Sequence, residues 1–176
     1  HVAGLFTGAG GVLVDHVARW NGTGWSAVGN LGVGQVLSVD APTVFDDGGG
    51  AALYLGVYAT NGSPSNRLMK WSGSTWVTLW QGPTSWFQDM IVFDDGSGSR
   101  LYGCVYVPPC CGPGSQATSY VARWNGSSWV NLGTPTTTVL TSLAVFDDGS
   151  GPALYTGGVQ ASPVPGAGYV AKWNGS

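Results

Sequence analysis

Residues 121–129 read VARWNGSSW, and the phrase recurs along the chain: VARWNGTGW at 17–25, LMKWSGSTW at 68–76 and VAKWNGS at 170–176. A second block alternates with it, PTVFDDGGGAALYLG at 42–56, MIVFDDGSGSRLYGC at 90–104 and LAVFDDGSGPALYTG at 143–157, with a worn remnant, AGLFTG, at 3–8. Trp20, Trp71, Trp124 and Trp173 mark a period of about fifty residues, the length of one supersecondary unit in a propeller or array. The chain of 176 residues therefore reads as a single repeat array of about three and a half units, with phases near 1–35, 36–88, 89–138 and 139–176.

Each unit predicts two hairpins. Phe45 and Leu53, Phe93 and Leu101, and Phe146 and Leu154 keep one constant spacing, so the intervening turn tolerates no insertion. The connecting DDGSG supplies aspartate to bond its own backbone and glycine to take positive φ. In WNGSSW the Asn-Gly pair is the strongest local hairpin signal. The resulting four strands are placed, in the best-preserved copies, at 142–146, 153–157, 120–124 and 128–132. The first two are apolar runs rather than alternating patterns, as in sheets covered on both faces. The expected fold is thus all-β: a β-propeller of four-stranded antiparallel blades. Trp20 with Trp25, Trp71 with Trp76, Trp124 with Trp129, and Trp173 would supply its large inter-blade contacts.

The remaining connections vary. The intervals from Phe6 to Trp20, Tyr54 to Trp71, Tyr102 to Trp124 and Tyr155 to Trp173 all differ, and the inter-unit segments change from glycine-rich (29–36) to GPTSWFQ (82–88) to TPTTT (134–138). Constant turns at one end and variable loops at the other put binding at the variable end. Tyr58, Trp80, Trp86, Phe87 and Tyr106 lie on or beside those loops, and rings beside Asn, Gln and Ser can stack on sugars; the alternative is inter-blade packing.

Only 9% of residues are charged, the net charge is −3 and the pI is near 4.9, which argues against nucleic acid as a partner. No run of eighteen apolar residues exists, so no membrane-inserted helix is expected. A chain opening on His1 without a leader reads as a processed or excised piece. Low charge, abundant Ser, Thr and Trp, and cysteines crowded near one loop point to a secreted or cell-surface setting.

The acid pairs Asp46-Asp47, Asp94-Asp95 and Asp147-Asp148 are candidate calcium ligands, but two acids and a few carbonyls fall short of six to eight oxygens. The structural reading is that one aspartate caps the turn and the other is solvated. Cys104 could bridge to Cys110 or Cys111 and staple the loop, and spacing does not choose between them. His1 and His16 are the only imidazoles, and no acid/base or nucleophile constellation appears, so no enzyme is expected. Asn21, Asn125 and Asn174 stand in sequons, as does Asn61 in NGSP; the turns that the hairpins need already account for three of them.

LYTGG at 154–158, followed by a variable loop and the Trp124/Trp129-type pair, is similar to the kelch motif, and the chain also resembles the WNGSSW/FDDGSG repeats of secreted planctomycete and myxobacterial proteins. The resemblance implies four-stranded propeller blades. Only Gly157-Gly158 keeps the kelch glycine pair; the other copies have Gly56-Val57 and Cys104-Val105, with Gly8-Ala9 in the remnant. Galactose-oxidase relatives of that fold hold copper with His and Tyr, an activity not carried over to a chain with two histidines. The first unit lacks its first strand and the last its fourth. Expected partners are therefore other copies of the chain or the rest of a longer propeller, since open edges invite pairing. The expected function is a non-catalytic extracellular scaffold or interaction module; the alternative is a lectin-like propeller binding glycans.

Overall fold

The computed structural model describes residues 1–83, 85–109, 115–159 and 168–173. Among them there is no helix and there are sixteen strands, in antiparallel sheets. The chain forms two compact units, His1–Thr84 and Ser85–Ser176.

The first unit contains β1 (Val2–Ala3), β2 (Gly8–Ala9), β3 (Val12–Leu13), β4 (Val17–Trp20), β5 (Trp25–Ala27), β6 (Gln35–Asp46), β7 (Ala51–Thr60), β8 (Pro64–Trp71) and β9 (Trp76–Gly82). Strands β1, β4 and β5 form a three-stranded sheet, β2 and β3 a small hairpin, and β6 to β9 a four-stranded meander. The second unit contains β10 (Trp86–Asp94), β11 (Ser99–Val107), β12 (Thr118–Trp124), β13 (Trp129–Thr136), β14 (Val139–Asp147), β15 (Pro152–Val159) and β16 (Gly168–Lys172). Here β10 to β13 form a four-stranded meander and β14 to β16 a three-stranded one. The repeat thus folds as sheets of the expected strand order, longer at most edges than the sequence reading drew them.

Register follows the repeat. Phe45 faces Ala52, Phe93 faces Arg100 and Phe146 faces Ala153 across the first hairpin of each meander. Across the second hairpin the tryptophans face each other: Trp20 and Trp25, Trp71 and Trp76, Trp124 and Trp129, with centroids 5.3–5.5 Å apart in tilted pairs. The Asn turn explains why. Asn125 Oδ1 accepts from the amides of Ser127 and Ser128, Asn21 Oδ1 from those of Thr23 and Gly24, and Gly126 takes φ 101° between them. In the copy without asparagine, the Ser72 hydroxyl accepts from Thr75 instead. The first strands of the last two sheets share a bulge, between Phe87 and Asp89 and between Leu140 and Ser142, which adds local twist.

The core lies between sheets. In the first unit Val17 and Val28 meet Val39, Leu53, Leu55, Val57, Met69 and Trp76 in one buried cluster. The Trp76 indole Nε1 donates to the Val28 carbonyl at 2.7 Å, joining two successive repeats. In the second unit Phe93, Tyr102 and Cys104 pack with Leu140, Leu143 and Leu154. There the Asp89 carboxylate accepts from the Leu143 amide at 2.8 Å, tying the first strands of both sheets. Coverage on both faces holds for the second strands: residues 53–57 of β7 and 101–105 of β11 are buried throughout. It fails for the outer strands β13 and β14, which are largely exposed.

Position in the array therefore decides what a repeated tryptophan is worth. Truncating Trp76, 9% exposed, removes a core ring and a buried hydrogen bond. Trp76→Ala is expected to lower unfolding stability by about 3–5 kcal/mol. Trp20→Ala, at a ring 48% exposed, is expected to cost about 1 kcal/mol or less, both read from urea unfolding curves.

Candidate functional site

The most organised polar arrangement is built from the acid pairs. The first aspartate behaves as its turn demands: Asp46 Oδ1 accepts from the amides of Gly48 and Gly50, Asp94 Oδ1 from Gly96 and Gly98, and Asp147 Oδ1 from Gly149 and Gly151. These are the glycines at φ 94° to 104°, a conformation that only glycine adopts without strain.

The second aspartate, exposed at Asp47 and Asp148 and largely enclosed at Asp95, is bonded to partners and not left to solvent alone, which corrects the sequence reading. Its Oδ1 caps the following amide, of Gly49, Ser97 or Ser150. Its Oδ2 accepts from the tyrosine of the LY pair and from the cation preceding the repeat tryptophan. Asp47 takes Tyr54 at 2.8 Å and Lys70 at 2.5 Å; Asp95 takes Tyr102 at 2.9 Å and Arg123 at 2.7 Å; Asp148 takes Tyr155 at 2.8 Å and Lys172 at 2.7 Å. The strands place these groups together because Tyr54 faces Lys70, Tyr102 faces Arg123 and Tyr155 faces Lys172 in the ladder between second and third strands. The turn of one hairpin is thereby fastened to the third strand of its own sheet.

The electrostatics agree. The Lys70 ammonium foremost, then the Tyr54 hydroxyl, pulls Asp47 down to about 2. The Ser97 hydroxyl foremost, with Tyr102 and Arg123, holds Asp95 well below the usual carboxylate range, and Lys172 does the same for Asp148. Burial and then Asp95 push Tyr102 up to about 12. Near neutrality these carboxylates stay charged and the tyrosines protonated, so the cluster is poorly matched to proton transfer. Calcium does not fit either, since an ammonium or guanidinium already neutralises the oxygen that a cation would need. Among the described residues no group of three or more His, Cys, Asp and Glu side chains is placed to hold a metal.

The candidate ligand rings lie on different strands and differ in burial. Trp86 and Tyr106 face each other across β10 and β11 with centroids 4.8 Å apart, both half-buried. Phe87 is in the core against Trp129, at 4.8 Å. Tyr58 lies on β7 and Trp80 on β9, both half-buried, and the Trp80 ring sits where any side chain on Gly82 would have to be.

Cys104 is corrected from loop to core. It lies on β11, is fully buried and is a free thiol, raised to about 12 by burial and by Asp89. Its proposed partners Cys110 and Cys111 fall outside the described residues, as does Asn174. His1 is exposed, while His16 is mostly enclosed, with φ 64° and Nε2 3.7 Å from Asp15.

The signal that would have found the fastening was present: an acid, a tyrosine seven residues on and a cation immediately before tryptophan recur in three units. Because the folded carboxylates titrate below the ordinary value of about 3.9, their contribution is full above that pH and is lost as pH falls through the folded values. Urea midpoints are expected to hold from about pH 7 to 5 and to drop between about pH 4 and 2. Asp95→Asn, at a side chain 12% exposed, is expected to cost about 1–2 kcal/mol at neutral pH and to flatten that drop. Comparison with protein-family models, with curated proteins and with solved structures gives no match to this chain.

Proposed function

We propose that the chain is a non-catalytic interaction module of the propeller kind, whose first and last sheets are contact surfaces for copies of itself or for further blades. One contrast supports this above all. The phenylalanine before the acid pair occupies the same repeat position three times, yet Phe45 is 6% and Phe93 8% exposed while Phe146 is 60% exposed. Val159 and Val170 in the same last sheet are exposed as well, and Leu5, Leu13 and Trp20 are exposed in the N-terminal repeat. Large apolar side chains left exposed at repeat positions that are buried elsewhere, as Phe146 and Val170 are, mark an association surface.

The polar features favour the same reading. The three fastened turns serve the sheet rather than a substrate, and the ring pair Trp86–Tyr106 is engaged in packing on itself. A surface rich in Ser, Thr, Asn and Gly, with few charges, suits a secreted or cell-surface module.

Native mass against concentration tests the proposal. The chain is expected to form species well above its 18.1 kDa, and Phe146→Ser with Val170→Thr is expected to return it to a single chain without shifting its unfolding transition. A monomer at all concentrations would overturn self-association.

A further inference from the structure

The second unit holds a cavity of about 170 Å³ between its two sheets, walled by Val121, Leu132, Leu154, Thr156, Ala171 and Trp173 among others. These are not arbitrary residues. Counted from the repeat tryptophan and from the FDD block, they are the counterparts of Val17, Val28, Leu53, Leu55, Met69 and Trp71. That earlier set packs in the buried cluster of the first unit that also holds Trp76, which leads the fourth strand of its sheet and contacts Val28 and Trp71 directly. The counterpart of Trp76 in the last sheet would stand on a fourth strand beside β16. Among the described residues β16 pairs with β15 and with no other strand.

We propose that this cavity is a socket for an indole, and that β16 takes up, by strand addition, an extended segment of the repeat's own fourth-strand type, Trp-Val-x-Leu. Two such segments exist in the chain, WVTL at 76–79 and WVNL at 129–132, so the form of the occupant is set by the repeat itself. Main-chain hydrogen bonds to the strand edge give affinity, and the pocket at the leading side chain gives specificity. Hydroxyls set in an otherwise apolar wall suit an indole, an apolar ring with one N–H donor. The Ser119 hydroxyl, on β12, lines the cavity, is fully buried and has no hydrogen-bond partner, and an indole N–H is a donor that needs an acceptor. In the first unit the Val28 carbonyl plays that part for Trp76. Thr156 for Leu55 and Ala171 for Met69 leave more room and one more hydroxyl at the same place. The inference rests on the reading of the last sheet as a contact surface and names what that surface accepts.

The test uses the full chain and a fluorophore-labelled peptide, WVNLGTPT, the sequence of β13. Fluorescence anisotropy is expected to show saturable binding of one peptide per chain. The same peptide with alanine in place of tryptophan is expected to bind at least about tenfold more weakly, a difference of about 1.4 kcal/mol. Ala171→Trp, which fills the cavity, is expected to abolish binding; Ser119→Ala, which removes the buried acceptor, is expected to weaken it and serves if the first variant does not fold. Equal binding of the alanine peptide, binding that survives both cavity variants, or no binding at all would overturn the socket. The outcome is separable from self-association. A chain that binds the peptide yet stays a single chain at every concentration keeps the socket and loses the self-assembly reading. One that assembles through Phe146 but ignores the peptide does the reverse.

Discussion

One carboxylate oxygen that receives both a tyrosine hydroxyl and a lysine or arginine head group makes a unit of each of three repeats. Without it, the FDDG turn would be an ordinary exposed hairpin end and the third strand would be held by ladder hydrogen bonds alone. With it, three segments separated in sequence are drawn to one point, and a slip of one residue in the ladder would carry tyrosine and cation to opposite faces. The interaction is charge-assisted on one side and partly shielded from solvent at Asp95, where such bonds are strongest. At the more exposed Asp148 water and salt compete, so the same geometry holds the last sheet less firmly.

The fastening and the core divide the work between them. Carboxylate, tyrosine and cation act within a sheet, whereas the contacts between successive sheets are apolar with a few directed bonds: Trp76 to Val28 in one unit and Asp89 to Leu143 in the other. Stability in such an architecture is a sum of terms internal to each repeat and terms between neighbours. Within a unit, the apolar residues on the face that meets the neighbouring sheet contribute to both kinds of term, and those on a bare face do not. The different exposure of Phe93 and Phe146 is that arithmetic seen at one position.

Much of this was legible in the sequence because repetition removes ambiguity. The constant spacing of Phe and Leu, the Asn-Gly pairs and the paired tryptophans placed strands, turns and register without any tertiary information. What the reading missed depends on depth and on direction. Cys104 sits beside a variable loop in sequence, but its strand runs on to Val107 and turns the thiol inward. Phe87 lies next to Trp86, yet alternation across the strand sends one ring to the core against Trp129 and leaves the other half-exposed beside Tyr106. The second aspartate of each pair looked idle because its partners are seven and more than twenty residues away, brought near only once the ladder forms.

The three cations stand at different distances from their tyrosines along the chain: sixteen residues from Tyr54 to Lys70, twenty-one from Tyr102 to Arg123 and seventeen from Tyr155 to Lys172. Closing a loop grows costlier only with the logarithm of its length, about 0.6 kcal/mol per doubling, so this range changes the free energy of a repeat by less than half of that. The fastening at one end therefore makes the opposite end free to lengthen. Insertions there leave the register undisturbed, so repeats can differ in the length of that connection while keeping one shape.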